Sequence, residues 1–365
     1  MKVILDEVCE RESSNLKQSD VINNNGDYPI YGAAGYIGNV DFYHQGNPYI
    51  AVVKDGAGIG RATLLPAYSS VIGTMQYLIP KSNVLPEYLY YVIRNMHLEK
   101  YYTGATIPHI YFKDYKKETF NLSSIEEQRK IVDILGKVER IIEARTLEIE
   151  QFNILIKARF VEMFGNVDTG NYRYKTYKLG DVASVGSSHR VFTTEFVEKG
   201  VPFYRGTEIG ELANGIKPTE PYFISKEQYN RLANDDTKPQ IGDLLMPSIC
   251  NKGQVWMVDT KEPFYYKDGR VLCISPDREI FDTKYLEYFM RVKTLVTYPK
   301  LGSGSTFAEF KIFLLKGIDV LVPPRNLQEQ FADFVRQVDK SKAAIQKTLD
   351  ETQLLFDSLM QKYFG

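Results

Sequence analysis

The sequence predicts an α+β fold of two globular mixed α/β parts separated by two long helices, the helices packed on each other as an antiparallel coiled coil. Three observations predict it. Landmarks in the first half recur in the same order about two hundred residues later. Two long stretches carry a heptad seam and contain no proline after their starts. The segments between them alternate short apolar runs with glycine loops and are rich in Tyr and Phe, of which the chain has 26 and 20. A unit that occurs twice implies two similar sites.

In chain order, Tyr28-Pro29-Ile30-Tyr31-Gly32 is answered by Val201-Pro202-Phe203-Tyr204-Arg205-Gly206. The apolar strand Tyr49–Val53 leads into a loop with Gly56, Gly58 and Gly60, and Asp243-Leu244-Leu245-Met246 leads into Cys250–Val255. Alternation in Met75–Ile79 and Arg270–Ser275 predicts half-buried strands. The aromatic runs Pro86–Arg94 and Thr283–Arg291 predict helices, and Thr103–Ile107 is matched by Ser303–Phe307. In the first long stretch Leu135, Val138, Ile142, Ile149, Phe152, Ile156 and Met163 form the seam, broken by Arg145. In the second, Val338, Ile345, Leu349, Phe356, Leu359 and Tyr363 form it, broken by Lys342 and Thr352. Each is a rod of roughly 55 Å at about 1.5 Å per residue. Neither can bury its stripe alone, so the two are expected to pack together. The predicted division is 1–120, 121–170, 171–322 and 323–365.

Composition narrows the function. At 365 residues and net charge −1 the chain is not a general coat for nucleic acid. Residues 1–120 carry 11 Lys and Arg against 12 Asp and Glu, and residues 171–322 carry 21 against 19, so any polyanion is met by local patches. Such patches gather at Lys113, Lys116 and Lys117, and at Arg173, Lys175 and Lys178. Three scattered cysteines form neither a disulfide framework nor a zinc spacing, which fits a reducing cytoplasm.

Catalysis finds no foothold in the residues. The glycine loop at Gly56–Gly60 is followed by Pro66 too soon for the helix of a phosphate cradle, and Gly302-Ser303-Gly304-Ser305 lacks the lysine of a P-loop. The four histidines lie far apart, Ser188-His189 is not a triad spacing, and Asp235-Asp236 reads as a solvated turn. No cofactor or metal site is expected. The loops do hold side chains able to read base edges or approach phosphates: Lys54, Arg61, Gln76, Thr106, Arg205, Asn251, Lys252, Gln254, Arg270 and Thr306.

The order of landmarks resembles the specificity (S) subunits of type I restriction-modification systems. The match spans the whole chain and is carried by Pro323, Pro324, Glu329 and Gln330, with a degenerate copy at Ser123, Ser124, Glu127 and Gln128, and by the alternation of globular part with repeated helix. The resemblance implies two target-recognition domains in a pseudo-two-fold symmetric arrangement, each reading one half of a split sequence in double-stranded DNA. It implies helices that recruit two methyltransferase subunits, which carry S-adenosylmethionine, and a motor-nuclease restriction subunit that joins for cleavage. It names no base contacts. A coiled-coil spacer or interaction scaffold without DNA specificity is the competing reading. A fused adenine methyltransferase fails because the Val322-Pro323-Pro324-Arg325 run lacks the polar and aromatic residues that would hold an adenine.

If the helices are the ruler between half-sites, four residues inserted after Ala144 lengthen the rod by roughly 6 Å, or about two base pairs of B-DNA. The methylated motif of that variant is expected to gain about two unread base pairs. An unchanged gap with full activity would show that something else sets the distance.

Overall fold

Tyr49–Val53 is apolar at every position and buried on both faces, which places it in the middle of a covered sheet. The computed structural model describes residues 1–21, 24–104, 108–233, 238–301 and 308–365. The chain divides into two compact units, residues 1–148 with 345–365, and residues 149–344.

The first unit contains β1 (Lys2–Ile4), α1 (Leu5–Val8), β2 (Cys9–Ser13), β3 (Tyr28–Gly32), β4 (Gly35–Val40), β5 (Tyr49–Val53), β6 (Ala62–Leu65), β7 (Ser70–Val71), β8 (Met75–Pro80), α2 (Pro86–Asn95), α3 (Phe112–Tyr115) and β9 (Thr119–Asn121). The long helix α4 (Ile125–Phe164) begins in this unit and ends in the other. The main sheet has the antiparallel order β2-β8-β5-β6; β4-β3-β7 form a smaller sheet with β3 and β7 parallel, and β1 pairs with β9.

The second unit repeats this topology. It holds β10 (Gly165–Asn166), β11 (Asn171–Tyr172), β12 (Thr176–Lys178), α5 (Leu179–Val182), β13 (Ala183–Gly186), β14 (Val201–Tyr204), α6 (Gly206–Ala213), β15 (Tyr222–Ile224), α7 (Lys226–Leu232), β16 (Leu244–Pro247), β17 (Trp256–Met257), β18 (Tyr265–Tyr266), β19 (Val271–Pro276), α8 (Thr283–Thr297), α9 (Ile312–Lys316) and β20 (Asp319–Leu321). The second long helix, α10 (Arg325–Phe364), starts here and ends in the first unit. The sheets β13-β19-β16-β17, β15-β14-β18 and β12-β20 match those of the first unit strand for strand, and the short pair β10-β11 is an addition.

β8 and β19 are buried along most of both faces, so the half-buried strands expected from their alternation are corrected here. The reason is cover on each side. Ile50, Val52 and Leu78 face a core with Tyr88, Leu89 and Val92 of α2, while Tyr49, Ala51, Val53, Met75 and Tyr77 fill a second core behind the sheet. In the second unit Leu244, Met246, Leu272 and Ile274 pack with Tyr285, Leu286 and Phe289 of α8. Leu245, Val271 and Cys273 meet Ile209 and Trp256 on the other face.

The unit boundaries at 148/149 and 344/345 fall within α4 and α10. In the first unit Ile131, Leu135 and Val138 of α4 share a core with Phe356 and Met360 of α10. In the second, Ile156, Phe160 and Phe164 pack with Phe331, Val335 and Val338. The Phe160 and Phe331 rings lie 5.3 Å apart edge to face, and Lys342 Nζ donates to Asn153 Oδ1 at 2.7 Å, so the two helices run antiparallel there. Arg145, Lys342 and Thr352, the predicted breaks, are half-buried, as are Ile142, Ile149, Ile345 and Leu349 around them.

A buried glutamine fixes the start of each long helix. Gln128 is fully buried; its Oε1 accepts from Leu85 N at 2.8 Å and its Nε2 donates to Asn83 O and Ser123 O at 3.0 Å. Gln328 repeats the arrangement, accepting from Asp282 N at 3.0 Å and donating to Ile280 O at 3.0 Å and Pro323 O at 2.8 Å. The counterpart of Gln128 is therefore Gln328, not Gln330, which is exposed. A buried backbone group that loses its only partner costs about 1–3 kcal/mol. Gln328→Ala is expected to destabilise the second unit by at least that amount in denaturant titration, and Gln330→Ala to stay within about 0.5 kcal/mol of the parent.

Candidate nucleic-acid interface

Where β14, β16 and β19 end together in the second unit, their loops enclose a surface cavity of about 470 Å³. Arg205 follows β14, Asn251 and Gln254 lie in the loop after β16, and Arg270 immediately precedes β19. All four line the cavity, with Lys267 beside them. Residues read separately from three segments are thus brought into one site. Two guanidinium groups, an ammonium and two side-chain amides are the groups that hydrogen-bond base edges and phosphates.

The arginines are held by carboxylates. Arg205 N donates to Glu208 Oε2 at 2.8 Å, closing the first turn of α6, and its guanidinium bonds the same carboxylate while lying 4.5 Å from the centroid of the Tyr222 ring. Burial would raise the Glu208 carboxyl, but the hydrogen bonds from Arg205 outweigh it and hold the group below its ordinary value. The same contact raises the Arg205 guanidinium. Arg270 Nη1 donates to Glu309 Oε2 at 2.7 Å, and the Glu309 carboxyl is lowered first by its bond to Lys311 and then by the charge of Arg270. A guanidinium fixed on one edge presents the remainder in a defined plane, as two-pronged recognition requires. Lys252 is exposed beyond the cavity lining, and its backbone N–H donates to Gln254 Oε1 at 2.9 Å.

The first unit places different groups on the same scaffold. Gly56, Gly58 and Gly60 have positive φ and form the β5–β6 hairpin turn, so no phosphate-binding helix follows. At Gly60 an added Cβ would lie 2.5 Å from Glu99 N, so the glycine is required by close approach as well. Lys54 Nζ contacts Asp55 Oδ2 at 2.6 Å, and Asp55 Oδ1 lies 2.6 Å from His109 Nδ1. Burial would raise Asp55, yet the bonds from Lys54 and His109 hold it low. Arg61 is exposed and its guanidinium donates to Ala33 O.

Gln76 is corrected. It is 1% exposed and its amide donates to the Tyr115 hydroxyl inside the core, so it cannot reach a ligand. Thr106 and Thr306 lie outside the described residues, as do Asp235-Asp236 and Gly302–Ser305. Sequence reading missed Lys267, Glu208, Glu309, Asp55 and His109. Only Glu208 carried a local signal, as an acid three residues after the residue preceding a helix. Of the predicted basic patches, Lys116 is paired with Asp6 at 3.3 Å and Lys178 with Asp319 at 2.7 Å. Burial pushes the thiols of Cys9 and Cys273 up to about 12 and that of Cys250 to about 11, which keeps all three protonated. No described helix is long and apolar enough to cross a membrane.

A family model described as type I restriction modification DNA specificity domain matches residues 1–151 and 171–352. The chain is 22% identical over 316 residues to the type I restriction enzyme MjaIX specificity subunit of Methanocaldococcus jannaschii, covering 78% of this chain and 69% of that one. It is likewise 22% identical over 316 residues to the MjaVIII specificity subunit of the same organism, covering 80% and 72%. Its fold is similar to the crystal structure of the type I restriction-modification system S subunit from M. genitalium, with a TM-score of 0.64 and 16% identity over 100% of this chain and 96% of that one.

A carboxylate held below its ordinary value stabilises the fold above that value, and the contribution is lost as pH falls through the lowered one. For Glu208 the ordinary value is 4.5. Glu208→Gln is therefore expected to be less stable than the parent at pH 7, with the gap closing progressively below about pH 4.5. Parallel denaturation curves across that range check it; a constant gap would mean that the charge of Glu208 contributes nothing.

Proposed function

The chain belongs to the type I restriction-modification DNA specificity family, and from that membership we propose that each unit reads one half of a split DNA target. The observation that carries this reading is the repetition of one scaffold with different polar side chains at the loop ends. A duplicated fold with matched sheets and unmatched charges suits two related recognition tasks with different answers. Base edges would be met in the second unit by Arg205, Asn251, Gln254 and Arg270, with Lys267 and Lys252 near phosphates. Lys54 and Arg61 would serve in the first.

The rest of the complex follows from the family. Two methyltransferase subunits carrying S-adenosylmethionine would dock on the long helices, and a restriction subunit would join for cleavage in the cytoplasm. Those partners would supply basic surface, which suits a chain of net charge −1. The chain itself would hold no cofactor and perform no chemistry; its arginines and amides bind and orient DNA. A spacer or scaffold role would leave the convergence of Arg205, Asn251, Gln254 and Arg270 without a purpose.

The test is exchange of residues 1–120 for the equivalent part of a relative, followed by mapping of methylated adenines in a host carrying the variant and its methyltransferase. One half-site is expected to change and the other to persist, because each unit has its own cores. An exchange that leaves the motif untouched, or a parent complex that retains all DNA sequences equally in a mobility-shift assay, would favour the scaffold.

A further inference from the structure

Strand register gives six loop positions of one unit a counterpart in the other. Ile72 N and Lys267 N donate at 2.9 Å to Tyr31 O and Tyr204 O, so Ile72 corresponds to Lys267 and Gly32 to Arg205. Lys54 N bonds Thr74 O at 3.0 Å as Ser248 N bonds Arg270 O at 2.9 Å, which pairs Lys54 with Ser248 and Thr74 with Arg270. The hairpin registers pair Arg61 with Gln254. Ile110 N donates to Lys54 O at 2.9 Å and Phe310 N to Ser248 O at 2.7 Å, so His109 corresponds to Glu309. Across these six positions the basic side chains alternate. Arg205, Lys267 and Arg270 stand opposite Gly32, Ile72 and Thr74, whereas Lys54, Arg61 and His109 stand opposite Ser248, Gln254 and Glu309.

His109 is the member of this set that is oriented by a carboxylate from a loop 54 positions away. The loop that carries it is already closed by backbone bonds, Ile110 N to Lys54 O and Gly56 N to Pro108 O at 3.0 Å. Its ring is 37% exposed, and Nδ1 is committed to Asp55, which in turn is held by Lys54. A carboxylate on Nδ1 fixes the ring plane and leaves Nε2 as its second hydrogen-bonding atom. Tyr111, half exposed, lies almost parallel to the ring at 6.3 Å, with Lys113 Nζ 5.2 Å from the tyrosine centroid. An oriented imidazole with the exposed Lys113 and the half-buried Lys54 nearby is suited to a base edge beside phosphates.

We propose that His109, oriented by Asp55, reads a base edge through Nε2 in the half-site of the first unit. The inference rests on the DNA-reading function proposed above. His109→Asn places an amide near the Nδ1 position, keeping the Asp55 bond and losing Nε2; His109→Gln places its amide near Nε2 and loses the Asp55 bond. Complexes of each variant with the methyltransferase are titrated with duplexes in which every position of each half-site is permuted. His109→Asn is expected to lose about tenfold or more of the discrimination at one position of the half-site assigned by the 1–120 exchange. His109→Gln is expected to keep part of it, and the other half-site to be read as before. The reverse order of the two variants, a loss spread evenly over all sequences, or unchanged discrimination would each overturn the proposal. Should the 1–120 exchange itself leave both half-sites unchanged, the DNA-reading function fails instead.

Discussion

One side-chain amide at the start of each long helix joins three pieces of backbone. Gln128 and Gln328 each bond a main-chain N–H at the entry to the aromatic helix, a carbonyl just before it, and a carbonyl just before the long helix. Both are fully buried, so these bonds are made where water cannot replace them. The aromatic helix covers the main sheet, and the long helix packs against that aromatic helix. A glutamine that sets the angle between them therefore sets the depth of the core, and through the core the positions of the loops at the strand ends.

The loops exploit that rigidity differently in each unit. In the second, Arg205, Lys267 and Arg270 surround a cavity, with two of the three anchored by acids. In the first, Gly32 sits where Arg205 would be, and a Cβ there would come within 2.8 Å of Ile37 and 3.1 Å of Ile72. Ile37 and Ile72 occupy the space beside Gly32, and the basic side chains arise from neighbouring positions instead. A backbone fixed by buried amides tolerates such exchange because none of the exchanged groups contributes to the main sheet's cores.

The period of the apolar residues made the long helices and the two aromatic helices legible, and the doubled landmarks revealed the repeat. What could not be read lies in contacts between distant residues. Gln76 looked like a polar tooth on an alternating strand, and only its bond to Tyr115, 39 positions away, explains its burial. His109 reads as an isolated histidine in the sequence because Asp55 is 54 positions distant. The proline pair directed attention to Gln330, although the turn geometry employs Gln328, one helical face away. Loop position and side-chain chemistry single out Arg205, Asn251, Gln254 and Arg270 in the sequence, and their convergence is a property of the sheet order.

The division of α10 gives the first unit a history as well as a shape. Residues 1–148 leave the ribosome early, but Phe356 and Met360, which fill their core, emerge only after residues 149–344. The second unit is contiguous and can close on itself while the first still exposes the apolar stripe of Ile131, Leu135 and Val138. During synthesis the unit made first is thus completed last, and its open groove is the surface most in need of protection from aggregation in that interval.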